Sequence, residues 1–185
     1  MTDPLSCTAF VGDRRLATGA PKDVALAVKR ASTDGAVLVF DDATGRQIDF
    51  DLRGSDAEVV ARLCGPEAPA RARGRPKLGV VAREVTLLPR HWDWLAAQPE
   101  GASAALRRLI DQARAQGAQA DAVRQARTAA DRFMMAMLGD RPGWEEASRA
   151  LYAGNAALFQ ALTDPWPPDL RDHARRLAAP AFAEG

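Results

Sequence analysis

Between Cys64 and Pro76 the chain reads CGPEAPARARGRP, and this stretch constrains the fold more than any other. Pro66, Pro69 and Pro76 each lack a backbone N–H, and with Gly65 and Gly74 between them neither a helix interior nor a central strand can run through. The 185 residues therefore divide into an N-terminal segment (1–64), a basic linker or arm (65–80), a middle unit (81–117) and a C-terminal segment (118–185). At 47% hydrophobic and 26% charged residues the chain belongs with globular proteins and not with disordered ones. No apolar run approaches the roughly 18 residues that cross a bilayer. MTDPLSCTAF lacks the basic and apolar regions of a secretory leader. The expected location is the cytoplasm, with no membrane partner. Cys7 and Cys64 match no metal-ligand spacing and are read as reduced, partly buried thiols.

The first segment reads as a small α+β domain in the order ββαββα. CTAFVG and RRLATGA are short strand-like runs around Gly12-Asp13. PKDVALAVKRA places Pro21 at a helix start, with Val24, Leu26 and Val28 on the apolar side. AVLVFDDATGRQIDFDL is a hairpin signal, with Ile48, Phe50 and Leu52 alternating on one face. Ser55 and Glu58 have the spacing of a capping box ahead of VVARL.

Residues 118–185 read as an all-α domain. Val123, Ala126, Ala130, Phe133, Met134 and Met137 keep a helical period that Gly139 can end. Trp144, Leu151, Leu158, Phe159, Leu162, Trp166, Leu170 and Leu177 supply three shorter helices, interrupted by Pro165, Pro167 and Pro168. The tryptophans and RFMMAML suit a core or a dimer contact better than a ligand box.

Net charge is only +1, but it is unevenly placed. Residues 1–70 hold 8 basic and 11 acidic side chains, 71–128 hold 11 and 5, and 129–185 hold 6 and 8. A basic middle between mildly acidic ends is the pattern expected when the middle meets phosphates. That middle contains a β-rich run, Val81 to Leu88, stopped by Pro89. A short helix from Arg90 to Gln98 follows, with Trp92 and Leu95 one turn apart. After Pro99-Glu100-Gly101, Ser103 is the expected cap of a second helix with Leu106, Leu109, Ile110 and Ala113 on one side. One strand and two short helices cannot build a core alone, so a second copy is expected to supply the other strand.

The strand REVTLLP, the helix RHWDWLAAQ, the break PEGAS and the helix AALRRLIDQA together resemble the ribbon-helix-helix DNA-binding proteins, the group of the methionine and Arc repressors. The resemblance implies a dimeric two-stranded ribbon lying in the major groove, with Arg83 and Thr86 reaching base edges. It also implies a phosphate held by the helix N-terminus at Ala102, Ser103 and Ala104. Glu84, which shares the outward face with Thr86, departs from the usual basic or amide residue and weakens base readout. RGRPK, Arg73 to Lys77, resembles the core of an AT-hook, which implies that Arg71, Arg73, Arg75 and Lys77 enter a minor groove, preferably an AT-rich one. The chain as a whole also resembles an uncharacterised bacterial family, which implies no activity.

His91 and His173 are the only histidines, and both are expected at the surface or at helix ends. Asp41, Asp42, Asp49 and Asp51 are read as turn and solvent-face residues of a hairpin and not as metal ligands. No nucleophile elbow, phosphate loop or dinucleotide fingerprint is present. The expectation is a homodimeric, non-enzymatic DNA-binding protein, a regulator or architectural factor, with no cofactor and no metal. A dimerising interaction module and a sensor of a small-molecule effector are the alternatives.

Overall fold

The computed structural model describes residues 6–31, 35–64, 81 and 83–183. They fall into two compact units, one drawn from residues 1–67 and 120–185, the other from residues 68–119.

In the first unit β1 (Cys7–Val11), β2 (Arg14–Gly19), α1 (Pro21–Arg30), β3 (Val37–Asp41), β4 (Gln47–Ile48) and α2 (Asp56–Cys64) follow in the order read from the sequence. The sheet is antiparallel, in the order β2-β1-β3-β4. Central strand β1 is buried at Cys7, Thr8, Ala9 and Phe10. Because successive side chains point to opposite faces, Cys7 and Ala9 join Val24 and Val39 in one cluster, with Val28, Ile48 and Phe50 against it. Phe10 and Phe40 go to the other face.

A sheet that is apolar on both faces needs a layer on each. Helix α1 covers the first. The second is covered by residues beyond 119, through the distal part of α4 (Ala102–Leu138), α5 (Trp144–Tyr152), α6 (Ala156–Thr163), α7 (Pro168–Ala178) and the 3₁₀ turn Ala179–Phe182. Phe133 sits between Phe10 and Phe40, with ring centroids 5.4 and 5.1 Å away. The segments 1–64 and 118–185, separate in the sequence reading, thus share one core, because neither face of β1 can be left in water.

Local rules set the edges. Ser55 and Glu58 form the capping box reciprocally: Ser55 N–H donates to Glu58 Oε2 at 2.6 Å and Glu58 N–H donates to Ser55 Oγ at 3.3 Å. In the turn after β3, Asp41 Oδ1 accepts from Thr44 N–H at 2.7 Å, and Gly45 takes φ +65°. A Cβ on Gly45 would overlap the Ala129 carbonyl, so only glycine lets this turn lie against α4. Arg132 Nη1 donates to Thr44 O at 3.2 Å and holds the contact. Ile48, Phe50 and Leu52 are more buried than Asp49 and Asp51, as alternation requires, although β4 itself ends at Ile48. Both cysteines are free thiols, Cys7 buried and Cys64 exposed.

The second unit contains α3 (Pro89–Ala96) and the first part of α4. Residues 83–88, expected as a strand, lie outside any helix or strand; a strand is defined by its pairing, and no ladder partner is found among the described residues. Ser103 is not a cap. Helix α4 begins at Ala102, preceded by Gly101 at φ +77°, whose carbonyl accepts from Ala105 N–H at 3.0 Å. The helix expected to stop near residue 115 runs to Leu138. Its only internal breaker is Gly117, and glycine inside a helix costs only about 1 kcal/mol relative to alanine.

Candidate functional site

Helices α3 and α4 place an apolar surface in the second unit. At 100° per residue, Trp94, His91, Leu95, Leu88 and Trp92 occupy one arc of α3, with Leu95 in its centre, buried to 2% exposure. On α4 the arc starts at buried Ala105 and passes through Leu109 and Leu106 to Ile110, which is 56% exposed. Between them lies a groove of about 260 Å³ lined by Leu87, His91, Trp94, Leu95, Leu106 and Leu109. Val85, Leu88, Trp92 and Trp94 are also substantially exposed. Among the described residues of this unit only Leu95 and Ala105 are buried hydrophobics.

The residues expected to touch DNA divide in two. Arg71, Arg73, Arg75 and Lys77 lie outside the described residues. Arg83, Thr86 and Ser103 are exposed, as is Glu84. Ala102, Ser103 and Ala104 do form the first turn of α4. Two residues before that turn, however, Glu100 pairs with Arg108 at 2.8 Å, and its carboxyl is held below the usual range by its own backbone N–H and by that guanidinium. A carboxylate there competes with any phosphate at the helix end. Residues 83–119 carry five basic side chains (Arg83, Arg90, Arg107, Arg108, Arg114) against four acidic ones (Glu84, Asp93, Glu100, Asp111). The cationic excess of the middle therefore belongs chiefly to 71–77.

A second polar constellation, which sequence reasoning missed, lies in the first unit. His173, expected near the surface, is fully buried on α7. Its ring packs on Phe133 and Phe10, at centroid distances of 4.4 and 5.1 Å. Arg176 Nη2 donates to His173 Nδ1 at 2.9 Å and pairs with Asp42 Oδ2 at 3.1 Å. Asp42 also accepts from Thr8 Oγ1 at 2.9 Å and from Ser6 Oγ at 2.8 Å. Since the one hydroxyl proton of Thr8 goes to Asp42, Thr18 is the donor in the 3.1 Å Thr8–Thr18 contact. His173 Nε2 stands 3.7 Å from Asp42 Oδ1 and has no hydrogen-bond partner among the described residues. Burial, with Arg176 beside it, lowers the imidazole to about 4 against the pull of Asp42, so His173 is neutral. Burial, then Asp42 and Asp41, pushes the Cys7 thiol up to about 11. One signal was readable: Leu170, His173, Ala174 and Leu177 follow the i, i+3, i+4, i+7 pattern of an apolar helix face.

A second cleft, about 220 Å³, lies between Phe159, Gln160, Arg175 and Phe182. Arg175 is engaged there with Thr163 Oγ1, Asp164 and the Gln160 carbonyl, as a cap on the C-terminal end of α6. Of the hairpin aspartates, Asp41 accepts from the Thr44 hydroxyl and Asp51 pairs with Arg53. Among the described residues no group of three His, Cys, Asp or Glu side chains could hold a metal ion. No helix among them is long and apolar enough to cross a membrane.

The family model described as "Uncharacterized protein conserved in bacteria (DUF2239)" matches residues 6–178. No curated protein and no solved structure matches the chain.

Proposed function

We propose that this chain, which belongs to that uncharacterised bacterial family, is a non-catalytic DNA-binding protein that works as a homodimer, a regulator or architectural factor. The supporting observation is the placement of charge. Four cations with no acid among them, Arg71, Arg73, Arg75 and Lys77, directly precede a unit that is itself nearly balanced. A cation cluster with no internal partner in the sequence gains most by displacing the counterions condensed on a phosphate backbone. Its Gly-Arg-Pro spacing suits a narrow, AT-rich minor groove, where Arg is favoured. Arg83 and Thr86 stand next in the chain, exposed, as candidate groove contacts. The role of Ser103 in this reading is reduced to its backbone at the start of α4. Gel-shift titrations with AT-rich and GC-rich duplexes at two salt concentrations test the proposal. Binding that weakens steeply with salt and prefers AT-rich duplex supports it, and no binding to either duplex at low salt contradicts it.

One observation favours a second reading. Exposed Glu84 at the outward position and the near-neutral balance of 83–119 suit a module that pairs proteins without touching DNA. In that case the same titration yields no complex while the protein remains dimeric.

A further inference from the structure

We infer that two copies of the chain join through the helical face of α3 and α4, each presenting Ile110 to the partner's groove beside Trp94 and Leu109. This deepens the dimeric reading above and rests on it, but it places the contact on helix faces and not on a paired ribbon. Among the described residues, 83–88 find no ladder partner within the chain, whereas the apolar arcs of α3 and α4 are already formed and exposed.

Three observations choose a second copy as the occupant. First, the same two helices supply both exposed apolar side chains and a recess: Ile110 and Trp92 are exposed, and the groove is lined by His91, Trp94 and Leu106. A two-fold contact requires that combination, because one patch must be complementary to itself. Second, the area is of the right size. Taking the exposed fractions of Val85, Leu88, Trp92, Trp94, Leu109 and Ile110, these residues offer roughly 600 Å² per copy, so a pair that covered all of it would remove about 1,200 Å², the lower bound for a specific interface before any polar rim is counted. Third, Arg83 and Arg90 alternate with Glu84, Asp93 and Asp111 in the same stretch, so two identical faces meet with both signs available. A strongly basic or acidic partner would find no complementary field there.

Sedimentation velocity on the full chain at micromolar concentration tests this, with Ile110→Glu as the disrupting variant and Met135→Glu, an exposed change in the first unit, as the control. The expected result is a dimer for the unaltered chain and for Met135→Glu, with dissociation raised at least about 30-fold by Ile110→Glu, the size of one interface hot spot. Circular dichroism checks that the variant stays helical; if it does not, Leu109→Gln replaces it with the same expectation. An unaltered chain that is monomeric overturns the inference. A dimer that survives the disrupting substitution with its helices intact also overturns it, while leaving the dimeric reading standing. DNA titration of the monomeric variant separates the two claims, because the cations at 71–77 are untouched and should keep their salt dependence per chain.

Discussion

Nδ1 of His173 accepts a hydrogen bond from Nη2 of Arg176 at 2.9 Å. A guanidinium only donates, so Nδ1 carries no proton and the neutral ring holds its hydrogen on Nε2, facing Asp42 at 3.7 Å. Protonating Nδ1 would break the Arg176 contact and bury a cation against Phe10 and Phe133. This is why the folded imidazole titrates far below an exposed one.

Stability should therefore depend on pH through His173. The folded-state value is depressed to about 4 from 6.5, so between those limits the unfolded chain binds a proton that the folded chain refuses. Stability is full above about pH 6.5 and falls with acidification until about pH 4, by up to roughly 3 kcal/mol. Below that, Asp56, Glu58 and Asp172, whose carboxyls are lowered by Arg30, Ser55 and Arg171, add their own losses. Urea unfolding at a series of pH values measures the curve. His173→Gln should flatten it between pH 6.5 and 4, and an unchanged slope would assign the effect elsewhere.

Asp42 holds this cluster together. It accepts from Ser6, Thr8 and Arg176 while nearly buried itself. Asp42→Ala should lower the unfolding free energy by roughly 2 kcal/mol, because buried Thr8 loses its acceptor and Arg176 its counter-charge. Asp42→Asn keeps an acceptor oxygen and should lose less. Denaturant midpoints of the two variants give the comparison.

The turn over α4 offers a steric test. Gly45→Ala combines φ +65° with a direct overlap on Ala129 and should cost roughly 3 kcal/mol. Gly12 has a similar φ of +53° but open space around it, so Gly12→Ala should cost only about 1 kcal/mol. Equal losses would show that the close approach of turn and helix is not tight.

How much of this was legible depends on the reach of each interaction. The Ser55–Glu58 box was readable because both partners lie within one helical turn. The ββαββα order was readable because strand alternation and Pro21 act locally. The place of His173 on an apolar helix face was readable as a period, but its surroundings were not, since Asp42, 3.7 Å away, and the rings of Phe10 and Phe133 come from distant parts of the chain. The shared core was hidden for the same reason: that Phe10 faces Phe133 depends on which layer covers the second face of β1. The length of α4 was misjudged because the apolar periods of Leu106–Ala113 and Val123–Met137 read as two helices, although Gly117 between them carries only a small penalty within a long one. In the second unit the apolar positions of both helices were visible as a period, while their exposure was not.

Glu84 separates the roles proposed for the second unit. It is exposed beside Thr86. If this stretch lies against DNA, Glu84→Lys removes a repulsion and adds a phosphate contact in each chain, so affinity should rise and the salt slope of the dimer steepen by about 1.8. If the unit serves only to pair two chains, affinity and slope should both stay as they were. Fluorescence anisotropy with a labelled duplex reads both quantities.

The salt dependence of DNA affinity in the unaltered chain and in an Arg73→Ala, Arg75→Ala double variant bears most directly on the proposed function. Loss of two phosphate contacts per chain, four per dimer, should weaken binding and reduce the slope of log affinity against log salt by about 3.6, with the dimer intact. Identical slopes in the two proteins, or no DNA binding by the unaltered chain at low salt, would remove residues 71–77 from any role on nucleic acid.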